Sequence, residues 1–402
     1  MSEPAQLDQA HDGLVEFLAK CDPASPAPEG IYVERPVPFA PWIGPLVQRV
    51  LAAKILVLGQ SGVGKTTELV RLERVLQNVT LVRPPVERVL DLNVIGWHDM
   101  IVFSALWYGA ELAARQRGSG LPVAVHPEMG KSLFWIEQDL RKGLSRENMP
   151  HATGVQLFRN SPSDVHNRIE SGRAQFWDRA VQVLNATGTP HRPVVLIWDG
   201  LEKLPPSSTT RLFQEERRYL VDLPFRTIVT APLGLSFSPL FGEVEADFAG
   251  VHRLRALSHR PGEPGFQFLK DLALRRGAAA VFRDDLLDQT ISWSGGLPRQ
   301  LLQILTAGAT QALTDGLSRI EAESFQRGRR KISERWQYQL EPRDYDALNK
   351  DDSKRSAEQR SRLLSLGALL EYDQVDGGLG LGINPLVGAL LSQKQSAAGV
   401  SR

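Results

Sequence analysis

Apolar residues come in short continuous runs at 55–58 and 194–198, the pattern of strands buried on both faces of a parallel sheet. Less continuous segments at 89–94, 227–231 and 251–254 are read as further strands, and 31–33 as an extended piece. Between them the period changes. Leu69, Leu72, Val75 and Leu76 recur at helical spacing, a short helix is expected at 46–53, and 96–187 reads mostly as helices broken at 118–122 and 150–162. The greasiest stretch, 94–114, carries His98, Asp99 and Glu111 and is too short for a membrane span, so it reads as a buried helix. Strands alternating with helices predict an α/β fold built on a parallel sheet.

After Pro264 the pattern is helical through about 337. A last section then shows a helix ending at Gly367, strands at 368–372 and 379–383 around an Asp376-Gly377 turn, and a helix opened by Asn384-Pro385. Helix, hairpin, helix is the order of a winged-helix module. The expected organisation is an N-terminal helix and Pro-rich linker over 1–30, an α/β core over 31–260 with a helical insertion at about 115–187, a helical lid over 261–337, the winged-helix-like module over 338–395, and a tail, 396–402.

The chain has 402 residues, enough for two or three domains, and 47 Lys+Arg against 46 Asp+Glu leave no overall field to attract nucleic acid or an anionic membrane. A lone cysteine, Cys21, excludes an internal disulfide and a Cys-based zinc site, and the reducing cytoplasm is the compartment it fits. Glu3, Asp8, His11 and Asp12 stand where a secretory leader needs positive charge.

The segment Gly59-Gln60-Ser61-Gly62-Val63-Gly64-Lys65-Thr66 matches G-x-x-x-x-G-K-[ST] between a buried strand and an amphipathic helix. Its glycines let backbone N–H groups face phosphate oxygens at a helix N-terminus. Lys65 would meet the β and γ phosphates of ATP, Thr66 would ligate Mg²⁺, and Thr67 joins the phosphate-binding set. Asp199, ending the 194–198 strand, is the expected metal partner of Thr66, and Glu202 the residue that positions or activates the attacking water. The bland reading of Glu202 is a surface charge paired with Lys203 or an Arg. In Gly295-Gly296-Leu297-Pro298-Arg299 the glycines end one helix, Pro298 starts the next, and Arg299 could face the γ-phosphate. Alone, that segment is only a helix junction with an arginine.

Together these motifs resemble the P-loop ATPases of the AAA+ and STAND (signal-transduction ATPases with numerous domains) group, over roughly residues 30–390, and STAND more closely. The resemblance implies a P-loop NTPase sheet with inserted helices, a helical lid, a C-terminal winged helix, ATP and Mg²⁺ as cofactors, Pro298 against the base or ribose, and Arg299 as sensor 2. Thr230 is the only polar candidate for sensor 1. No arginine occurs between Leu233 and His252, so that segment supplies no finger in trans. The implied function is a slowly hydrolysing ATP switch, with Lys65, Glu202 and Arg299 as catalytic residues. It would act on a separately encoded effector or sensor protein, in bacterial antiviral defence, with a nucleotide-dependent homo-oligomer as its assembly. The alternative is a DNA-binding AAA+ ATPase of the origin-initiator or transposition-regulator type. Residues 371–391 contain no Lys or Arg but include Glu371, Asp373 and Asp376, which disfavours a DNA-gripping wing. Arg327, Arg329, Arg330, Lys331 and Arg335 are read as a solvated helix face, and Trp135, Trp177 and Trp293 as core.

Overall fold

The structure, a computed structural model, describes residues 3–23, 28–119, 127–142, 153–189, 191–373 and 379–400. Its centre is a five-stranded parallel sheet of β1 (Lys54–Gly59), β2 (Thr80–Val82), β3 (Val194–Trp198), β4 (Arg226–Ala231) and β5 (Gly250–Leu254), in the order β2-β3-β4-β1-β5. The period of two sorts their side chains onto two faces. Leu56, Leu58, Leu196, Trp198 and Val229 join one buried cluster, and Ile55, Val57, Val195, Ile197 and Ile228 the other. The second face is covered by helices Ala40–Arg49 and Lys65–Val75.

Two expectations for the core are corrected. Residues 89–94 form no strand: a one-turn helix, Val86–Val89, leads into turns, and the edge strand is the three-residue β2. Pro84 and Pro85 stop β2, and the apolar side chains of Val89, Leu90 and Ile95 pack inward without joining the ladder. The helix expected at 46–53 is Ala40–Arg49, which keeps Pro45 inside it.

The greasy stretch forms the helix Trp97–Ser119. Trp97 lies against Trp198 with ring centroids 5.6 Å apart, and the Trp198 indole donates to Ser104 Oγ at 2.9 Å, so this helix is fastened to the sheet. Helices Pro127–Lys142, Gly154–Asn160, Pro162–Ser171 and Arg173–Asn185 pack around it. Trp135, Trp177 and Trp293 are half-buried. No helix among the described residues is long and apolar enough to cross a membrane.

The lid contains helices Pro264–Leu274, Asp284–Trp293, Pro298–Thr314 and Ala322–Gln339. The N-terminal helix Glu3–Lys20 buries Leu14 and Phe17 against it, Phe17 meets Phe282 edge-on at 6.0 Å, and Thr306 donates to the Cys21 carbonyl at 3.2 Å. The basic run on Ala322–Gln339 is not simply a solvated face. Arg327 pairs with Asp315 at 2.5 Å, Arg329 lies 4.0 Å from the Trp293 ring centre, and Lys331 and Arg335 donate to Gln311 and Gln303.

The C-terminal module is a helix Pro342–Leu348, a helix Ala357–Leu366 capped by Gly367, an antiparallel hairpin of β6 (Leu369–Asp373) and β7 (Leu379–Ile383), and the helix Pro385–Val400. The expected Asp376-Gly377 turn lies outside the described residues. Helix Ala357–Leu366 packs on the turn Leu233–Phe237 that follows β4, and Ala256 N–H donates to the Glu371 carbonyl at 2.9 Å, joining β6 to the chain leaving β5.

Candidate nucleotide-binding site

The phosphate loop runs from the end of β1 to the helix Lys65–Val75. Gly62 has φ +87°, and a Cβ there would lie 2.9 Å from Arg299 Cβ, so its backbone conformation and the approach of the lid both require glycine. Lys65 Nζ is buried, donates to the carbonyls of Gly59 and Gln60 at 2.8 and 2.9 Å, and stands 3.6 Å from Glu202 Oε1. Burial lowers the Lys65 pKa, against the opposing pull of Glu202 and Asp199. Burial alone would raise Glu202. Lys65, a backbone N–H, Lys203 and the Thr230 hydroxyl outweigh it and hold the carboxyl below its usual range. Glu202 is thus an ionised group facing the loop lysine.

Thr230 accepts from the N–H groups of Gly200 and Leu201 at 3.0 and 3.1 Å and donates to Glu202 Oε2 at 3.0 Å. Its hydroxyl is committed to shaping the loop after β3. Asp199 Oδ2 accepts from Arg83 at 2.9 Å, while Asp199 Oδ1 is buried without a hydrogen-bond partner. Thr66 and Asp199 line one cavity. An orphaned carboxylate oxygen near a hydroxyl suits a hard divalent cation, so these residues fit Mg²⁺.

The lid closes the loop from the other side. Gly296 has φ +79°, and a Cβ on it would lie 1.8 Å from the Leu257 carbonyl, which seats the glycine turn against the chain after β5. Pro298 starts the next helix. Arg299 N–H donates to the Gly62 carbonyl at 3.2 Å, and its guanidinium donates to Ser61 Oγ at 3.0 Å and the Pro23 carbonyl at 3.1 Å.

Beside the loop, Val63, Gly64, Thr67, Lys65, Glu202, Pro298 and Arg299 line a cavity whose far wall is largely apolar, formed by Ile31, Tyr32 and Val33 on one side and Phe268, Leu272 and Leu302 on the other, with the Arg276 guanidinium between them. Its apolar side chains offer a flat molecule a surface out of water. Tyr32 donates to Glu68 at 3.2 Å, and burial, then Glu68, push its phenol up to about 12, so it stays a neutral donor. Arg35 is buried and donates to the Val63 carbonyl at 2.8 Å, bracing the loop. Neither the apolar wall nor Arg35 was legible as a site in the sequence, because their residues follow no motif and meet the loop only through the fold.

Gln60 lies in the loop by its backbone, but its side chain serves another contact. Its buried side chain points to the C-terminal module, donating to the carbonyls of Leu364, at 3.3 Å, and Leu369, and accepting from Glu371 N–H at 3.3 Å. The module therefore holds the phosphate loop directly, in addition to any link through Arg299.

No family model matches this chain, and no curated protein matches it. Solved structures resemble it distantly. Cdc6p from Pyrobaculum aerophilum is 13% identical, with 94% of this chain and 98% of that one covered and a TM-score of 0.42. A Walker-type ATPase of Pyrococcus abyssi is 11% identical, over 84% and 91%, with a TM-score of 0.46. The Aeropyrum pernix ORC1 protein in complex with DNA is 14% identical, over 90% and 92%, at 0.40.

Proposed function

We propose that this chain is an ATP-binding P-loop ATPase of the AAA+ type in which nucleotide sets whether the lid and C-terminal module stay closed on the phosphate loop. The observation that carries this reading is the double closure of one loop: Arg299 holds Ser61 and Gly62 from the lid, and the module holds Gln60. Lys65 would bind the β and γ phosphates, and Thr66 and Asp199 would hold Mg²⁺, which would neutralise phosphate charge when bound. Glu202 would orient the attacking water once phosphate draws Lys65 away from it. Hydrolysis would be slow, since Lys65 and Glu202 begin as a buried pair.

Two outputs are carried forward. The STAND resemblance implies a signalling switch acting on a separately encoded effector or sensor protein in antiviral defence, with nucleotide-dependent self-assembly. The alternative reading is a DNA-binding AAA+ ATPase of the origin-initiator or transposition-regulator type. In the closed form, Arg360 and Arg362 of helix Ala357–Leu366 are paired with Asp352, Glu341 and Asp344, and that helix lies on the Leu233–Phe237 turn. Duplex binding through the face of this helix that meets the turn would require release of the module.

The deciding experiment measures ATP–Mg²⁺ binding by calorimetry, and duplex-DNA binding by anisotropy with ATP, with ADP and without nucleotide. Absence of ATP binding overturns the proposal. Tight duplex binding at physiological salt, stronger in one nucleotide state, promotes the DNA reading over the signalling one.

A further inference from the structure

Arg83 is the residue of this site that the motifs leave unexplained. It follows β2, the edge strand paired with β3, and so stands beside Asp199 at the same end of the sheet. Its guanidinium is forked between two carboxylates: one nitrogen donates to Glu73 at 2.8 Å and another to Asp199 Oδ2 at 2.9 Å. The Arg83 side chain is 21% exposed and Asp199 10%, so this pair is largely shielded from water.

Two physical facts turn that pair into a competition. Arg83 takes Asp199 Oδ2 and leaves only Oδ1 for a divalent cation, so the two cations would share one carboxylate and repel each other across it. Arg83 also shares its cavity with Thr66 and Arg299, which line the largely apolar cavity too. The two spaces share Thr66 and Arg299, the residues expected at Mg²⁺ and the γ-phosphate. The segment 233–252, which has no arginine, leaves that phosphate without a cation from the strand after β4.

We propose that Arg83 is the group by which this site distinguishes a nucleoside triphosphate from a diphosphate. It rests on Asp199 while the site is closed, yields the carboxylate when the metal is taken up, and turns to the terminal phosphate while Glu73 keeps it tethered. A diphosphate offers no acceptor at that place. This rests on the nucleotide-binding reading above and deepens it.

The test uses the full chain with fluorescent ATP and ADP analogues, titrated at fixed free Mg²⁺, and then Mg²⁺ titrated at fixed ADP analogue. Arg83→Met should weaken triphosphate binding by at least about tenfold and diphosphate binding by less than about threefold, the loss of one charge-assisted contact. It should also lower the Mg²⁺ needed for half-maximal diphosphate binding, because the metal loses its competitor. Arg83→Lys, which keeps the charge without the fork, should fall between Met and wild type. Equal losses for the two nucleotides would show Arg83 to be only a brace, and would overturn the proposal, as would unchanged triphosphate affinity. If Arg83→Met does not fold, Glu73→Gln serves: a loosened tether should narrow the triphosphate preference, and an unaltered preference counts against it. A wild-type chain that binds neither nucleotide overturns both readings, whereas one that binds both, with a preference Arg83→Met does not touch, overturns this one alone.

Discussion

The Lys65 ammonium is surrounded by the carbonyls of Gly59 and Gln60 and the Glu202 carboxylate, so the loop is prearranged around a cation that phosphate must recruit. Lys65→Ala should weaken ATP–Mg²⁺ binding by about tenfold or more, and unchanged affinity in a calorimetric titration would remove the assignment. Thr230→Val keeps shape but leaves the Gly200 and Leu201 N–H groups without their acceptor and takes one donor from Glu202. Urea unfolding should show a loss of roughly 1–3 kcal/mol, and Thr230→Ser should restore most of it; a stable Val variant would mean that water replaces the hydroxyl. The phosphate loop was legible in the sequence because its chemistry is contiguous, each residue within a few positions of the next. Arg83 and Gln60 were not, since Arg83 meets Asp199 across 116 positions and Gln60 meets Leu369 across 309. No local pattern encodes such a partner.

Among the elements, the N-terminal helix is a working part of the lid. Phe17 is almost fully buried against Phe282, so Phe17→Ala should cost roughly 3 kcal/mol, read as a lower thermal midpoint; an unchanged midpoint would detach this helix from the lid. In the insertion, His166 Nδ1 lies 2.7 Å from Asp99 Oδ2, and that hydrogen bond raises the histidine above its ordinary 6.5. A raised folded pKa means that the folded chain binds the proton more tightly than the unfolded one. The pair's contribution is therefore complete below 6.5 and fades as pH rises through the higher folded value. Nearby His98 is pushed the other way, first by burial, so its own contribution runs against acid. The loss caused by His166→Gln, roughly 1–3 kcal/mol for a largely buried hydrogen bond to a charged group, should be larger near pH 5.5 than near pH 8.5. Equal losses at both would refute the linkage. Buried strands were readable here from apolar runs alone, whereas β2 was missed because three residues before two prolines are too few to show a period.

At the scale of the whole molecule, the phosphate loop, lid and C-terminal module form one closed contact around the candidate site. Gln60→Ala would remove the side-chain contacts that tie the phosphate loop to the carbonyls of Leu364 and Leu369 and to the Glu371 N–H. Limited proteolysis of this variant should cut faster between the lid and the module, near residues 338–345, in every nucleotide state, and a pattern identical to wild type would deny Gln60 its holding role. The same contact has a consequence for how the protein is made. A residue near the start of the chain waits for carbonyls 304 and 309 positions later, and synthesis at about 5–20 residues per second separates them by roughly 15–60 s. For that interval the growing chain carries a phosphate loop whose Gln60 amide lacks its partners in the module, and for most of it the lid has not yet emerged either. We expect stalled nascent chains ending near residue 260 to retain no ATP analogue and released full-length chains to retain it; equal retention by both would mean that the sheet alone completes the site.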